Sequence, residues 1–157
     1  MTDRPNVARV VADADVLAAD LLVGGPAREA LDVVRSHSWV ELVASDALLD
    51  DCEAVVATLS DADLATDHRE KLDALRVRVD QPADDHPGLA SAYRGNAAHL
   101  LSFDPRLRSA TAGASLRSRL DVSVKHPRGF CSLFDPERVW PEVGDGAYPG
   151  PDRDPRD

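Results

Sequence analysis

The feature that most limits what this chain can fold into is the alternation of short apolar runs with stretches of helical period. VARVVAD (residues 7–13), WVELVAS (39–45), AHLLSFD (98–104) and DVSVKH (121–126) are short and rich in apolar residues, as buried strands are, and VRVDQP adds a brief extended piece after Leu75. Between them lie the helical segments LAADLL, AREALDVVRS, DALLDDCEAVVATL (46–59), a stretch from about Asp61 to Leu75, HPGLASAYRGN (86–96) and, last, PRGFCSLF. The breaker Gly24-Gly25-Pro26 parts the first two, with Pro26 suited to a first helical turn. Strands alternating with helices predict an α/β fold, a three-layer α/β/α sandwich on a mostly parallel central sheet. Ligands of such sheets bind beyond the carboxyl ends of the strands. Asp13 and Asp104 each close a strand.

The length of 157 residues suits one domain with a single core, read here as residues 1–140. The tail from 141 to 157 is rich in Pro, Gly and charge and nearly without apolar residues, so the sequence predicts it to be disordered. Cys52 and Cys131 belong to no C-x-x-C or Cys/His cluster and read as small buried apolar residues rather than a zinc or disulfide framework. No basic-then-apolar leader and no run of about 20 apolar residues is present, which predicts a soluble, cytoplasmic protein.

Charge narrows the functional classes. Asp and Glu number 28 against 18 Lys and Arg, for a net charge of -10. Among the acids Asp greatly outnumbers Glu, and among the bases Arg greatly outnumbers Lys. Such a surface resembles proteins of salt-loving organisms, where near-molar salt shortens the Debye length to roughly 3 Å and screens self-repulsion. Many acids are then solvation, and only placement marks a site; Asp61, Asp63 and Asp67, for instance, form a solvated helix start. Against this background, Arg94, Arg106, Arg108, Arg117 and Arg119 fall in one stretch with a single acid, Asp104, a local basic arc suited to a polyanion.

Four acidic stations stand out: Asp13 with Asp15 in VVADADVL, Asp51 in SDALLDD six residues after Ser45, Asp85 opening DHPGLASA, and Asp104 in LLSFDPRL. Their order and context over residues 7 to 134 resemble the PIN-domain family of metal-dependent nucleases, with Asp15 where Asn is common and Asp51 where Glu is usual. The resemblance implies Mg²⁺ or Mn²⁺ held by Asp13, Asp85 and Asp104. It implies a catalytic set of Asp13, Asp51, Asp85 and Asp104. It also implies substrate contacts from Asp15, Ser102, Arg94, Arg106 and Arg108. Hard divalent ions take carboxylate and water oxygens, so an acidic rim without His or Cys suits them. The bound ion would activate water and neutralise charge on a phosphodiester, here RNA, single-stranded or in a structured loop. His86, His99 and His126 are set aside as ligands, and Trp39 reads as a core-edge residue rather than a base-stacking platform.

The implied activity is that of an endoribonuclease, either a toxin with an antitoxin partner or a stand-alone RNA-processing enzyme; a homodimer is compatible with either. Asp51 is one methylene shorter than Glu, and Asp50 or Glu53 could serve in its place; this substitution and the strongly acidic surface favour the alternative, a PIN-like module with weakened catalysis that binds RNA or protein. A third reading is a phosphatase of the haloacid-dehalogenase type, from the D-x-D of Asp13 and Asp15. That family's Gly-Thr is replaced by Val16-Leu17, and only Lys71 and Lys125 could supply its lysine.

Overall fold

A computed structural model of the chain describes residues 6–80, 87–108 and 122–156. Five strands, β1 (Asn6–Ala12), β2 (Glu41–Ser45), β3 (Val77–Val79), β4 (Ala97–Leu101) and β5 (Ser123–Lys125), form one sheet in the order β3-β2-β1-β4-β5. Every pairing is parallel. Helices α1 (Ala14–Leu22), α2 (Gly25–Ser36), α3 (Asp46–Leu59), α4 (Ala62–Leu75) and α5 (Pro87–Arg94) precede β4. Helices α6 (Pro105–Arg108), α7 (Pro127–Leu133) and α8 (Pro136–Val143) follow it. The result is the expected α/β fold, a parallel sheet flanked by helices in three layers.

A parallel sheet covered on both faces needs near-continuous apolar strands. Val10, Val11 and Ala12 of β1 and Leu42, Val43 and Ala44 of β2 are all fully buried. Together with Leu17, Leu31, Leu48, Leu49, Leu100 and Phe130 they form one core. The turn from α1 to α2 needs left-handed backbone, supplied by Gly24 (φ 85°) and Gly25 (φ 58°).

Gly95 serves a different purpose. A Cβ there would lie 2.3 Å from Val43 Cγ1, and the Gly95 carbonyl accepts from Arg9 Nη1 at 2.8 Å. Gly95→Ala is expected to force β2 and the end of α5 apart and to cost about 1–3 kcal/mol, the usual penalty of overpacking. Urea unfolding would show it as a lowered midpoint, and an unchanged midpoint would mean that this approach is not tight.

Several boundaries differ from the sequence reading. The first strand stops at Ala12, and Asp13 is the N-cap of α1. The AHLLSFD strand stops at Leu101, where Ser102 N–H donates to the Lys125 carbonyl and the chain turns away. Pro141 lies inside α8, which the sequence reading did not foresee, because a proline in such a stretch reads as the end of regular structure.

The tail is the largest difference. Where composition predicts disorder, the structure lays the segment after α8 across the end of α2. Asp152 and Arg153 N–H both donate to the Ser36 carbonyl (2.8 and 3.1 Å), and Arg153 Nη2 reaches the carbonyls of Val34 and His37 (3.3 and 3.1 Å). Asp152 in turn accepts from Ser38 N–H at 2.7 Å and from the Ser38 hydroxyl. These donors satisfy carbonyls that a helix C-terminus leaves open. Trp140 meets Trp39 at 5.3 Å between ring centroids, and the Tyr148 hydroxyl bonds His37 Nε2 at 2.7 Å. Two aromatics and a cap hold down a segment whose average composition carries no such signal.

Candidate active site

In the order β3-β2-β1-β4-β5 the connections run outward in one direction from β1 and in the other from β4. Such a reversal opens a crevice at the carboxyl ends of the two central strands. The β1–β4 register pairs Ala12 with Leu101, so Asp13 and Ser102 emerge side by side. Asp13 N–H donates to the Leu101 carbonyl at 2.8 Å, locking that adjacency.

Asp13 does two things there. As N-cap it accepts from Ala14 N–H at 3.0 Å, and its other oxygen accepts from the Ser102 hydroxyl at 3.3 Å. The same Ser102 oxygen accepts from Asp104 N–H at 3.0 Å. Ser102 is fully buried, so it ties the two acidic turns together from beneath instead of reaching substrate as the sequence reading expects. Asp15, one helical residue on from the cap, accepts from Phe103 N–H at 3.2 Å. Three carboxyl groups from two strand ends are thus held to one loop pair.

Their electrostatics follow from that crowding. The Asp15 carboxyl, though it reaches solvent, is raised above the usual carboxylate range, first by loss of hydration and then by the charges of Asp13 and Asp104. Hydrogen bonds from the backbone at Phe103 and Val16 offset part of the rise. Opposite them, Arg106 Nε and Nη2 each lie 3.4 Å from an Asp104 oxygen, and Arg106 N–H donates to Asp104 at 2.9 Å. The Arg106 side chain is 90% exposed, so this pair is loose. The Phe103 ring meets His126 edge-on at 5.1 Å, and a groove of about 560 Å³ lined by His126, Arg128 and Gly129 opens next to that contact. His126 caps α7 through Nδ1, which accepts from Arg128 N–H at 3.0 Å.

The other expected residues are placed less closely. Asp51 is exposed on α3. Its two alternatives are taken up: Arg69 on α4 holds Asp50 at 2.6 Å and Glu53 at 3.3 Å, whereas Asp51 makes no ion pair among the described residues. Asp85 lies outside the described residues, as do Arg117 and Arg119. Arg94 is exposed at the end of α5, and Arg108 ends α6. Among the described residues no three His, Cys, Asp or Glu side chains are grouped as a metal centre requires. The donors that are present are carboxylate oxygens, the ligand type that hard divalent ions prefer.

What the sequence reading missed is the bracing. Ser45 N–H, at the end of β2, donates to the Ser91 hydroxyl at 3.0 Å, and Ser45 Oγ caps α3 by accepting from Leu48 N–H at 3.1 Å. Both serines are buried. The Ser45 cap was legible as a Ser before a helical run; Ser91 gave no sign, because only the tertiary fold brings α5 to β2.

Residues 4–156 match the model of a protein family of unknown function. No curated protein and no solved structure matches the chain.

Proposed function

We propose that this chain, which belongs to the DUF7384 family of unknown function, is a PIN-like, Mg²⁺- or Mn²⁺-dependent endoribonuclease working at the Asp13–Asp104 rim. The observation that supports it best is the buried Ser102 bridge, which ties together the acids of the turns after β1 and β4 at the point where the strand order reverses. Asp13 caps α1 and Asp104 accepts from Arg106 N–H, but neither cap requires the Ser102 hydroxyl to join the two carboxylates. The ion, which Asp13 and Asp104 would hold together with Asp85 of the DHPGLASA motif, would lower the pKa of a coordinated water and neutralise charge at the scissile phosphate.

The chain's own residues do the rest. Ser102 fixes the angle between Asp13 and Asp104. Asp15 holds the Phe103 turn, and with it the groove wall at His126. Arg94, Arg106 and Arg108 of the basic stretch would supply bidentate donors for flanking phosphates.

The weakened-module reading keeps one observation of its own: Asp51 is exposed on α3, one methylene shorter than Glu and without an ion pair among the described residues. The phosphatase reading is poorly supported, since Lys125 Nζ lies against Ser123 Oγ (2.7 Å) and His99 Nδ1 (3.2 Å) and Lys71 lies on α4. No helix among the described residues is long and apolar enough to cross a membrane.

Incubating the protein with a single-stranded RNA in Mg²⁺ or Mn²⁺ is expected to give cleavage that EDTA stops. Binding of RNA without cutting by either ion, together with cleavage gained by Asp51→Glu, would establish the weakened module instead.

A further inference from the structure

At the far end of α1 from Asp13, about 13 Å along a nine-residue helix, lies a larger cleft of about 920 Å³. Its walls are the ends of α1 and α2, the last turns of α4 and the tail segment from Asp152 to Arg156. Five cationic side chains line it against three carboxylates, the reverse of a chain whose net charge is -10.

Two of the five are matched. Arg35 is gripped by Asp20 at 2.7 Å through both terminal nitrogens, and Arg156 meets Asp32 at 2.5 Å. Lys71, Arg28 and Arg153 form no ion pair with a carboxylate among the described residues. Arg28 donates through Nε and Nη2 to the Asp20 carbonyl at 3.0 and 2.8 Å, and Arg153 binds the carbonyls at the end of α2. A helix terminus carries only about half an elementary charge. The two guanidiniums are therefore positioned by the fold, and the five cations of the lining exceed its three carboxylates, Asp20, Asp152 and Asp154, by two.

The remaining lining has a different character. Leu21, Leu72, Leu75 and Pro155 give an apolar wall, and the volume falls within the roughly 300–1,000 Å³ of small-molecule sites. His68, 7% exposed, turns Nδ1 toward Cys52 Sγ at 3.8 Å and leaves Nε2 without a hydrogen-bond partner among the described residues. Buried polar atoms are nearly always satisfied.

We infer that this cleft is a second binding site for a small organic phosphate of mononucleotide size, its anion met by Lys71, Arg28 and Arg153 and its body lying on Leu72 and Leu75. A phosphomonoester carries a charge of about -1.5 to -2 and three acceptor oxygens, which suits three cations better than a single carboxylate would. The volume is far more than a free phosphate ion fills. His68 lines the cleft; burial lowers its pKa, the Asp20 carboxylate opposes this, and the charges of Arg35 and then Lys71 lower it further, so a bound anion would push it up. The site stands independently of the acidic rim.

Calorimetric titration with adenosine monophosphate, inorganic phosphate and adenosine tests it. The nucleotide is expected to bind, with the other two at least about tenfold weaker. The exposed Lys71→Gln should weaken the nucleotide by about tenfold, the worth of one hydrogen bond to a charged group, with Arg153→Gln acting in the same direction. The His68 ring resonances should move on titration. No heat up to about 10 mM nucleotide, weaker than the millimolar binding that counts as feeble, would overturn the proposal. So would affinity unmoved by both substitutions, or inorganic phosphate or adenosine binding as tightly as the nucleotide.

Discussion

Asp13→Asn and Asp104→Asn are each expected to reduce metal-dependent RNA cleavage by more than the roughly 100-fold that loss of a group outside a metal's immediate ligands costs, with the fold intact. Asn is as good an N-cap as Asp, so α1 keeps its start at Asp13, and the shape of the Ser102 bridge is preserved. What disappears is an anion. In the metal-free protein that loss removes repulsion, so the Asp15 pKa, raised by burial and then by Asp13 and Asp104, should fall in either variant.

The sign of the stability effect follows. A carboxyl whose folded pKa lies above its unfolded value favours the fold fully below the unfolded value, and that contribution is lost as pH rises through the folded pKa. The wild-type protein should therefore lose stability across that acidic window, and Asp13→Asn should narrow the loss. NMR titration of the Asp15 carboxyl, read beside cleavage, separates a metal site from a merely structural knot. Ser102→Ala, which removes the bridge but no charge, should cost roughly 10–100-fold in cleavage. If Asp13→Asn leaves cleavage and the Asp15 titration unchanged, the rim is not the site.

Arg35→Met is expected to have the largest effect on stability, about 3–5 kcal/mol, as breaking a buried ion pair from one side does. The Asp20 side chain is 6% exposed and Arg35 18% exposed, with two 2.7 Å bonds between them. Burial by itself would lower the Arg35 pKa; its hydrogen bonds to Asp20 and then Asp32 overcome this and hold the guanidinium charged. Removing it strands the Asp20 carboxylate between α1 and α2. The double variant Arg35→Met with Asp20→Leu should recover much of the loss, because two apolar groups can replace a buried pair at little cost. Arg35→Lys should fall between, since an ammonium cannot make the paired bonds of a guanidinium. Urea midpoints for the four proteins test this, and equal midpoints for wild type and Arg35→Met would show the pair to be idle.

The sequence by itself determined the layered fold, because periodicity is a local property: a run such as VARVVAD must be buried on both faces, and DALLDDCEAVVATL must lay one stripe against something. From that alternation the placing of Asp13 and Asp104 on one edge, in the turns after β1 and β4, followed, along with the Ser45 cap of α3. Where the carboxyls meet was not local. It depended on β4 pairing with β1 in a register that sets Leu101 against Ala12, and on the Ser102 hydroxyl closing a gap between residues 89 positions apart in the chain. Ser102 read as a substrate contact through the resemblance of LLSFDPRL to a family motif, and its burial beneath Asp13 and Asp104 follows only from the pairing of β4 with β1. The tail read as disordered because composition averages over a segment, whereas its docking rests on a few specific groups, Asp152, Arg153, Tyr148 and Trp140, each answering an unsatisfied carbonyl or an aromatic face elsewhere. The cationic cleft shows the same limit: Arg28, Lys71 and Arg153 are scattered over 125 residues of an acidic chain, and only packing α2, α4 and the tail around one hollow makes their charges act together.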